Sequence, residues 1–480
     1  MDLLFVSDLV VLLCLYIYWK LTFWSRQNIP NEVSSIWNRF SKPFHIADLE
    51  GTKKYGPIIG IYEGLRPVLQ ITDASLVKKV LITDFWNFCN HRVFYHEGQV
   101  AGKNLVVLED RRWQRMRHIL SPVFSAAKLK SMKDGYDDSI ETLVSNITDM
   151  TNNAEKSAIL DVKDYFGSFT LDVLCSVCFG IKINSLKNPK NEVVDNIKSI
   201  FGTSISLKAL IVLFFPSLMK TLDLYLLNYK SLVFLNQLTR SILKERRCQE
   251  SSRKDFIRLL MEASADLTET EIGDQVILFF VAGYDTSATT LCHIAYCLAL
   301  NPEVQERLHR EVQDFHSRNQ KGNYLEEMNS LEYLDAVIKE SLRYLPSVPR
   351  MERRSSRDCR LETEKGSLFI PKDTMIIIPI YTLGHDEQYF KEPEKFNPDR
   401  FLIKNSDEEP MMNQVFLPFA AGPRSCIGQR FALMEIKACL IHVLPKFKFQ
   451  ICPQTSIPLE YSCGHPVSTA QNVTLRVSRR

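Results

Sequence analysis

The sequence predicts a mainly α-helical protein with small β-sheets, and three observations support this class. Residues 74–345 show apolar positions at helical spacing through most of their length. Within them, residues 271–300 are apolar on nearly every face, which is typical of a helix buried through the centre of a large protein. Short β-type segments flank this stretch on both sides. The predicted order is therefore a small sheet, a large helical body and further strands.

The predicted β-strands are all short. Two precede the helical stretch, at residues 57–62 and 68–71. Four follow it, at residues 367–370, 375–380, 447–451 and 473–477. A helical pattern at residues 429–444 separates the last two pairs.

The amino-terminal residues 1–24 are predicted to be a membrane anchor, because they are rich in Leu, Val, Ile, Tyr and Trp. Asp8 leaves an uninterrupted apolar run shorter than the roughly 20 residues that a spanning helix usually needs. Lys20 can snorkel, and the aromatic residues after it can extend the span. No small-residue cleavage site follows, which disfavours a secretory signal peptide. Because Lys20 and Arg26 follow the apolar run whereas Asp2 precedes it, we expect the rest of the chain on the cytoplasmic side.

Composition favours one large domain behind this anchor. The chain has 480 residues, 45% hydrophobic and 24% charged, and no Gly/Ser/Pro-rich linker, repeat or low-complexity tract divides it. We therefore predict a short linker at residues 25–47 and a single domain at residues 48–480. A net charge of +3 is too small to indicate nucleic-acid binding. The 12 cysteines form no compact disulfide framework, which favours a reduced, cytosol-facing domain.

A loop rich in Gly and Pro, directly before the helical pattern of residues 429–444, contains Cys426. Gly422 and Gly428 would let the backbone approach a flat ligand closely. The start of a helix favours an ionised thiol, and Arg424 adds a fixed cation suited to a carboxylate partner. A lone cysteine is usually a core residue. Constrained neighbours on both sides make Cys426 a predicted metal ligand instead.

Polar residues interrupt the long apolar helix at residues 282–287, which read Ala-Gly-Tyr-Asp-Thr-Ser. Asp285 and Thr286 would be costly to bury unless they are hydrogen-bonded or used in chemistry. Gly283 would weaken the helix and leave room for a small molecule against the backbone. A surface turn of helix explains this segment equally well by itself.

Two pairs of residues are spaced so that the members of each pair lie on the same face of a helix. Glu340 and Arg343 stand at i, i+3, and Trp113 and Arg117 stand at i, i+4. Arg400 follows the first pair in a Pro-rich stretch that shows little helical pattern. Taken singly, such pairs are common surface features and predict no function.

The spacing Phe-x-x-Gly-x-Arg-x-Cys-x-Gly, from Phe419 to Gly428, resembles the haem-binding loop of the cytochrome P450 superfamily. The other three motifs described above occur in that family's order. The resemblance extends from about residue 48 to the C-terminus. Residues 54–56, 120–124, 392–396 and 430–434 are similar to the microsomal drug- and steroid-oxidising branch, family 3.

The resemblance implies the cytochrome P450 fold, with haem b buried between the central long helix and the helix that follows the cysteine loop. Cys426 would be the axial ligand of the haem iron, with Phe419 packed beside it and Gly428 close to the porphyrin. The haem propionates would be bound by residues on three segments of the chain. These are Trp113, Arg117, Arg353 and Arg424.

The same resemblance assigns two further sets of roles. Thr286 would hydrogen-bond dioxygen at the haem, and Asp285 would relay protons from solvent. Glu340, Arg343 and Arg400 would join the Pro-rich stretch to the helix behind the haem, which is a role in folding and haem retention rather than in chemistry.

The activity that the resemblance implies is a monooxygenase that inserts one atom of O2 into lipophilic small molecules such as xenobiotics, steroids or fatty acids. No flavin or dinucleotide motif occurs in the chain, so electrons would come from another protein. The resemblance implies that this donor is an NADPH-dependent reductase that contains FAD and FMN. Cytochrome b5 is a second candidate donor. The implied location is the endoplasmic reticulum membrane, with contact to membrane lipid and the catalytic domain in the cytoplasm.

Residues that would contact the substrate are counterparts of variable segments in this family. They are residues 93–103, 205–215, 279–282, 347–349 and 464–466. Phe279, Phe280 and Val348 would give an apolar pocket, although core packing explains them equally well. Two other functions stay open: an isomerase or dehydratase on the same haem-thiolate scaffold, and a haem-containing sensor without turnover.

Overall fold

The computed structural model describes most of the chain. The described residues are 3–33, 41–92, 98–154, 156–200, 221–223, 225, 227–248, 255–263, 267–319, 324–364, 366–402, 409–464 and 467–480. The expected substrate-contacting residues 205–215, and parts of residues 93–103 and 464–466, lie outside these ranges.

Helices dominate the described residues, as the sequence predicts. In chain order the α-helices are α1 Leu3–Leu21, α2 Phe44–Tyr55, α3 Ala74–Lys78, α4 Asp110–Leu120, α5 Ala126–Lys130, α6 Lys133–Asn153, α7 Val162–Leu174, α8 Glu192–Lys198, α9 Tyr229–Cys248, α10 Phe256–Glu262, α11 Glu269–Leu300, α12 Pro302–Arg318, α13 Tyr324–Glu327, α14 Glu332–Tyr344, α15 Ile380–Gly384, α16 Glu409–Val415 and α17 Gln429–Val443.

The strands form three small sheets. They are β1 Asn31–Glu32, β2 Ile58–Glu63, β3 Arg66–Ile71, β4 Ser157–Asp161, β5 Met351–Arg354, β6 Cys359–Thr363, β7 Gly366–Ile370, β8 Met375–Ile378, β9 Phe447–Gln450 and β10 Thr474–Arg479. A mixed five-stranded sheet has the order β1-β2-β3-β8-β5, a three-stranded sheet the order β4-β10-β9, and β6 and β7 form a hairpin.

All six predicted strand segments contain strands, but the prediction for residues 375–380 is wrong at its end. Strand β8 stops at Ile378 and helix α15 begins at Ile380. Strands β1, β4, β5 and β6 were not predicted. Strand β4 lies within the predicted helical body and exists because it pairs antiparallel with β10, with Leu160 opposite Leu475. Such a long-range pairing leaves little trace in the local sequence pattern.

The long helix α11 begins with a capping box, in which the Glu271 amide donates to Thr268 Oγ1 at 3.2 Å. It packs against α7, where the missing Cβ of Gly283 would lie 3.1 Å from Leu174 Cδ2. The expectation that Gly283 makes room for a ligand is therefore wrong. The glycine allows close packing of two helices.

The two phenylalanines expected to line a substrate pocket are core residues instead. Phe279 stacks on Phe256 with ring centroids 4.5 Å apart, and Phe280 stacks on Phe179 at 4.8 Å. Both side chains are buried in the main hydrophobic core. Because their rings are already packed on other aromatic rings, they pack α11 against its neighbours.

The amino-terminal segment after α1 packs onto the five-stranded sheet. Trp24 is fully buried, and its indole Nε1 donates to the Ile61 carbonyl at 3.2 Å. The indole fills the space above Gly60, where a Cβ would lie 2.2 Å from Trp24 Cγ. The Gly60 amide donates to the Pro30 carbonyl at 2.8 Å. Among the described residues, none of the helices combines the length and apolar character needed to cross a bilayer.

Candidate active site

The cysteine loop is a tightly hydrogen-bonded turn. The Cys426 amide donates to the Phe419 carbonyl at 2.9 Å, and the Ser425 amide donates to the Gly422 carbonyl at 3.0 Å. Gly422 has φ of 73°, and a Cβ there would lie 2.0 Å from the Leu81 carbonyl oxygen. The position therefore requires glycine. Its close contact is with the protein's own backbone, so the expectation that Gly422 makes room for a flat ligand is wrong.

The sulfur of Cys426 lies at the start of α17, as the sequence predicts. Burial raises the pKa of the thiol, whereas backbone amides at Gly428 and Gln429 and the charge of Arg117 lower it. The side chain remains accessible although protein surrounds it on most sides. Cys426 is thus an accessible sulfur at which three donors or charges favour the thiolate.

Arg117 reaches the cysteine loop from helix α4. Its Nη1 donates to the Ser425 carbonyl at 2.9 Å. Burial lowers the pKa of its guanidinium, and the charge of Cys426 opposes that shift. Arg117 therefore joins helix α4 to the loop and adds positive charge near the sulfur.

Arg424 and Trp113 hold the loop against the segment before α4. The guanidinium lies 4.4 Å from the centroid of the Trp113 ring. Its Nε donates to the Cys89 carbonyl at 2.7 Å and its Nη2 to the Leu108 carbonyl at 2.6 Å. Burial and the neighbouring Arg353 lower the pKa of Arg424 to about 9. The structure thus gives Arg424 a role in fixing the loop, and its binding of a propionate stays a prediction.

Arg353, on strand β5, is a buried cation with no neighbouring anion among the described residues. Its Nη1 donates to the Glu352 carbonyl at 2.9 Å, but Nε and Nη2 have no hydrogen-bond partner in the part of the chain that the structure describes. Burial lowers the pKa of its guanidinium to about 10. His91 lies close by, and burial together with the charges of Arg353 and Arg424 lowers its pKa well below the ordinary value. We call Arg353 and Arg424 the cationic group.

A buried, unpartnered guanidinium is costly unless a ligand completes it. Haem fits this requirement because it offers two carboxylates, and Cys426 offers the sulfur that its iron would bind. On α11, the side chain of Ala282 is exposed and that of Thr286 is partly exposed, although the neighbouring residues of this helix are largely buried. The donor set and the accessible positions therefore suit a haem group.

The polar residues of α11 form hydrogen bonds both within the helix and to another segment of the chain. Thr286 Oγ1 donates to the Ala282 carbonyl at 2.7 Å, within the same helix. Asp285 is only 9% exposed, and its Oδ2 accepts a hydrogen bond of 3.1 Å from Thr469 Oγ1. No local pattern indicated Thr469, because this residue lies in a loop whose position depends on the tertiary fold.

Glu340, Arg343 and Arg400 lie together, and we call them the glutamate cluster. Two parallel hydrogen bonds of 2.8 Å join the Arg343 guanidinium to the Glu340 carboxylate, and both side chains have no exposed area. Arg400 Nε lies 3.1 Å from Glu340 Oε2. Arg343 Nη1 also donates to the carbonyls of Gly384 and Pro393 at 2.7 and 2.8 Å. The cluster thus joins α14 to the Pro-rich stretch that follows α15.

Glu435, on helix α17, is a buried acid that was not predicted as a site residue. In the described part of the chain, no group lies at hydrogen-bonding distance and angle from either of its carboxyl oxygens or from the hydroxyl of the nearby Ser287. Burial raises the pKa of Glu435 to about 8, and the proximity of Ser287 opposes the shift. An acid within the apolar helical pattern after Cys426 was the signal that could have identified it.

These features define the class of protein. A mainly helical fold presents an accessible cysteine at a helix start, beside a cationic group suited to carboxylates, and this combination is that of a haem-thiolate protein. The cytochrome P450 family model matches residues 26–473. The chain therefore belongs to the cytochrome P450 family.

Relatives of known name agree with this assignment. The chain is 35% identical to cytochrome P450 3A56 of Fundulus heteroclitus, over 98% of this chain and 96% of that protein. It is 35% identical to human cytochrome P450 3A7, over 92% of this chain and 88% of that protein. The protein is a haem-thiolate monooxygenase that uses haem b and acts on lipophilic molecules, with electrons from a redox partner.

Proposed function

We propose that Cys426 binds the haem iron and that Arg353, Arg117, Arg424 and Trp113 bind the haem propionates. The main support is the unpartnered guanidinium of Arg353, because nothing in its described surroundings neutralises it. The accessible sulfur of Cys426, with amide donors at Gly428 and Gln429, supports the other half of the proposal.

When bound through a thiolate, haem supplies oxygen activation and favours cleavage of the O–O bond. The protein must then keep the sulfur ionised and hold the cysteine loop in a fixed position. Arg117 and the start of α17 serve the first purpose, because they lower the pKa of the thiol. Gly422 serves the second, since its contact with the Leu81 carbonyl fixes the loop.

Proton delivery is assigned to Asp285 and Thr286. Asp285 is nearly buried, and its carboxylate would accept a proton from solvent and pass it towards the hydroxyl of Thr286. The Thr286 hydroxyl now donates to the Ala282 carbonyl, so it would have to rotate to receive or donate a proton on the accessible side. An isomerase or dehydratase would not need this pair, so its presence favours monooxygenation.

The electron donor is proposed to be an NADPH-dependent flavoprotein reductase, with cytochrome b5 as a second candidate. Helix α4 joins the cysteine loop through Arg117 and exposes Arg111 and Arg112, and Arg430 is exposed just after the loop. This positive surface beside the sulfur suits an acidic partner. Reduction should therefore slow as the salt concentration rises, and reduction that is independent of salt would contradict this docking surface.

Helix α1 is proposed to anchor the chain in the endoplasmic reticulum membrane, with the catalytic domain in the cytoplasm. Leu9 and Leu12 are 60% and 63% exposed, as expected for side chains in contact with lipid. At the end of the helix, the Lys20 and Arg26 charges lie 5.2 and 5.0 Å from the ring of Trp19. Aromatic and cationic residues of this kind prefer the membrane interface.

The decisive experiment for the iron ligand is the carbon monoxide difference spectrum of the reduced full-length protein. The wild type should show the red-shifted Soret band of thiolate ligation, and Cys426→Ser should lose it together with monooxygenase activity. A Cys426→Ser protein that retains both would exclude Cys426 as the ligand. Cys439→Ser is the control, because this cysteine is buried on helix α17, which follows the cysteine loop.

Turnover distinguishes the proposed function from its alternatives. With NADPH and reductase, a monooxygenase should convert lipophilic compounds to products that have gained one oxygen atom. An isomerase or dehydratase would form products without NADPH, and a sensor would form none.

The roles of Asp285 and Thr286 are tested by Asp285→Asn and Thr286→Ala, which should both lower the product formed per NADPH oxidised.

A further inference from the structure

The loop at residues 467–470, close to the C-terminus, contacts both sides of the Asp285/Thr286 pair. It lies between α11 and the residues that follow α14, and Val467, Ser468 and Ala470 are buried. A bridge between Tyr461 and Ala470 and a hydrogen bond of 3.4 Å from Lys163 Nζ to the Ala470 carbonyl hold the loop in place.

The first contact is direct. Thr469 Oγ1 donates to Asp285 Oδ2 at 3.1 Å, and the carboxylate is nearly buried at this point. A hydrogen bond to a buried charged group is stronger than one between neutral groups. Thr469 therefore selects one orientation of the Asp285 side chain among those that its rotamers allow.

The second contact runs through two hydroxyl groups. The Ser468 amide donates to the Ser347 carbonyl at 2.7 Å, and Ser347 Oγ lies 2.9 Å from Thr290 Oγ1. Thr290 Oγ1 in turn donates to the Thr286 carbonyl at 2.8 Å. The same loop therefore fixes the backbone at Thr286 as well as the carboxylate of Asp285.

We propose that Thr469 is a positioning residue for proton delivery: its hydroxyl holds the Asp285 carboxylate in the orientation from which a proton is passed towards Thr286. The proposal rests on the proposed role of Asp285. Without this hydrogen bond the carboxylate would sample other rotamers, and a smaller share of the electrons taken from NADPH would reach product. Substrate binding would be unaffected, since Thr469 acts through Asp285.

The test uses the full-length haem protein with reductase and one lipophilic substrate that it oxidises. Thr469→Val keeps the volume of the side chain but removes the donor, and should lower product per NADPH at least threefold. Thr469→Ser keeps the hydroxyl. The product formed per NADPH oxidised, which we call coupling, should therefore stay within twofold of the wild type. The substrate dissociation constant and the carbon monoxide spectrum should not change. Gln471→Ala, an exposed position in the same segment, is the control.

Two further measurements separate positioning from a general structural effect. In the infrared difference spectrum between wild type and Thr469→Val, a carboxylate band should shift, and this shift should be absent when Asp285→Asn is the background. In the Asp285→Asn protein, the additional change Thr469→Val should cause no further loss of coupling, because both changes would act on the same carboxylate. Thr469→Ala replaces Thr469→Val in these tests if the valine protein does not retain haem.

The outcomes distinguish this inference from the proposed function. Normal coupling in Asp285→Asn would remove the acid from the mechanism, and the role of Thr469 with it. Impaired coupling in Asp285→Asn together with normal coupling in Thr469→Val would overturn the inference about Thr469 alone. Additive losses in the double variant would also overturn it.

Discussion

The protein contains two groups of buried charge, and they differ in how far protein groups alone satisfy them. In the glutamate cluster, each charge has a partner of opposite sign, and Arg343 makes further hydrogen bonds to backbone carbonyls. In the cationic group, Arg353 has two nitrogens without a hydrogen-bond partner among the residues that the structure describes. The glutamate cluster is satisfied by the polypeptide alone. Under the proposed function, an anionic ligand would complete Arg353, so the two groups should respond differently to mutation.

The largest effect is expected in the glutamate cluster. Glu340→Gln would leave the buried guanidinium of Arg343 without its carboxylate, at a cost of about 3–5 kcal/mol. We expect a large loss of folded, haem-containing protein, measured as the yield of the thiolate spectrum and as the midpoint of denaturant unfolding.

A matched control is the exposed ion pair of Lys42 and Glu50, which are 2.7 Å apart. Glu50→Gln should change the free energy of unfolding by roughly 0–1 kcal/mol, because exposed pairs contribute little. Equal effects of the two substitutions would contradict a special role for burial in the glutamate cluster.

A smaller and more selective effect is expected in the cationic group. Arg353→Met removes the cation but keeps most of the side-chain volume. The substitution would remove the proposed hydrogen bonds between Arg353 and a haem propionate. A hydrogen bond to a charged group contributes about 1.5–3 kcal/mol, so haem should dissociate roughly 10- to 100-fold faster from the variant than from the wild type. The measurement is transfer of haem to an acceptor protein in excess.

The control for Arg353→Met is Arg360→Met on the neighbouring hairpin, where the arginine is exposed. It should leave haem dissociation unchanged. If Arg353→Met also left it unchanged, the cationic group would not bind the propionates.

Buried carboxyls offer the third contrast, since Glu340 forms ion pairs with two arginines whereas Glu435 has no ion pair among the described residues. The folded-state pKa of Glu435 is about 8, above the ordinary 4.5, so the folded protein keeps a proton that the unfolded chain releases in this range. Stability should therefore fall as the pH rises towards 8, with a slope of up to roughly 1.4 kcal/mol per pH unit. Glu435→Gln should flatten this dependence.

The measurement for Glu435 is the free energy of unfolding between about pH 5 and pH 8, compared with that of Glu387→Gln at an exposed position. Glu435 would not be the titrating group if the slope of the Glu435→Gln protein equalled that of the wild type.

Local patterns in the sequence predicted the parts of the site that local structure defines. Cys426 lies at a helix start because the glycine-rich loop and the helical pattern are adjacent in sequence. Glu340 and Arg343 meet because they are one helical turn apart. The long helix was predicted from residue 271 and begins at Glu269.

The local sequence pattern did not predict features that depend on contacts between distant segments of the chain. The small residue Gly283 faces Leu174 rather than a ligand, because α7 crosses α11 at that point. Thr469 meets Asp285 across 184 positions of sequence. The same holds for strand β4, whose partner β10 is at the end of the chain.

The burial of Trp24 has a practical consequence for shortening the chain at its amino end. Its indole occupies the space above Gly60, so a deletion of residues 1–24 would remove a core side chain along with helix α1. A truncation that starts the chain at Thr22 would discard helix α1 and retain the indole. Such a shortened protein should resist proteolysis better than one that begins at Ser25.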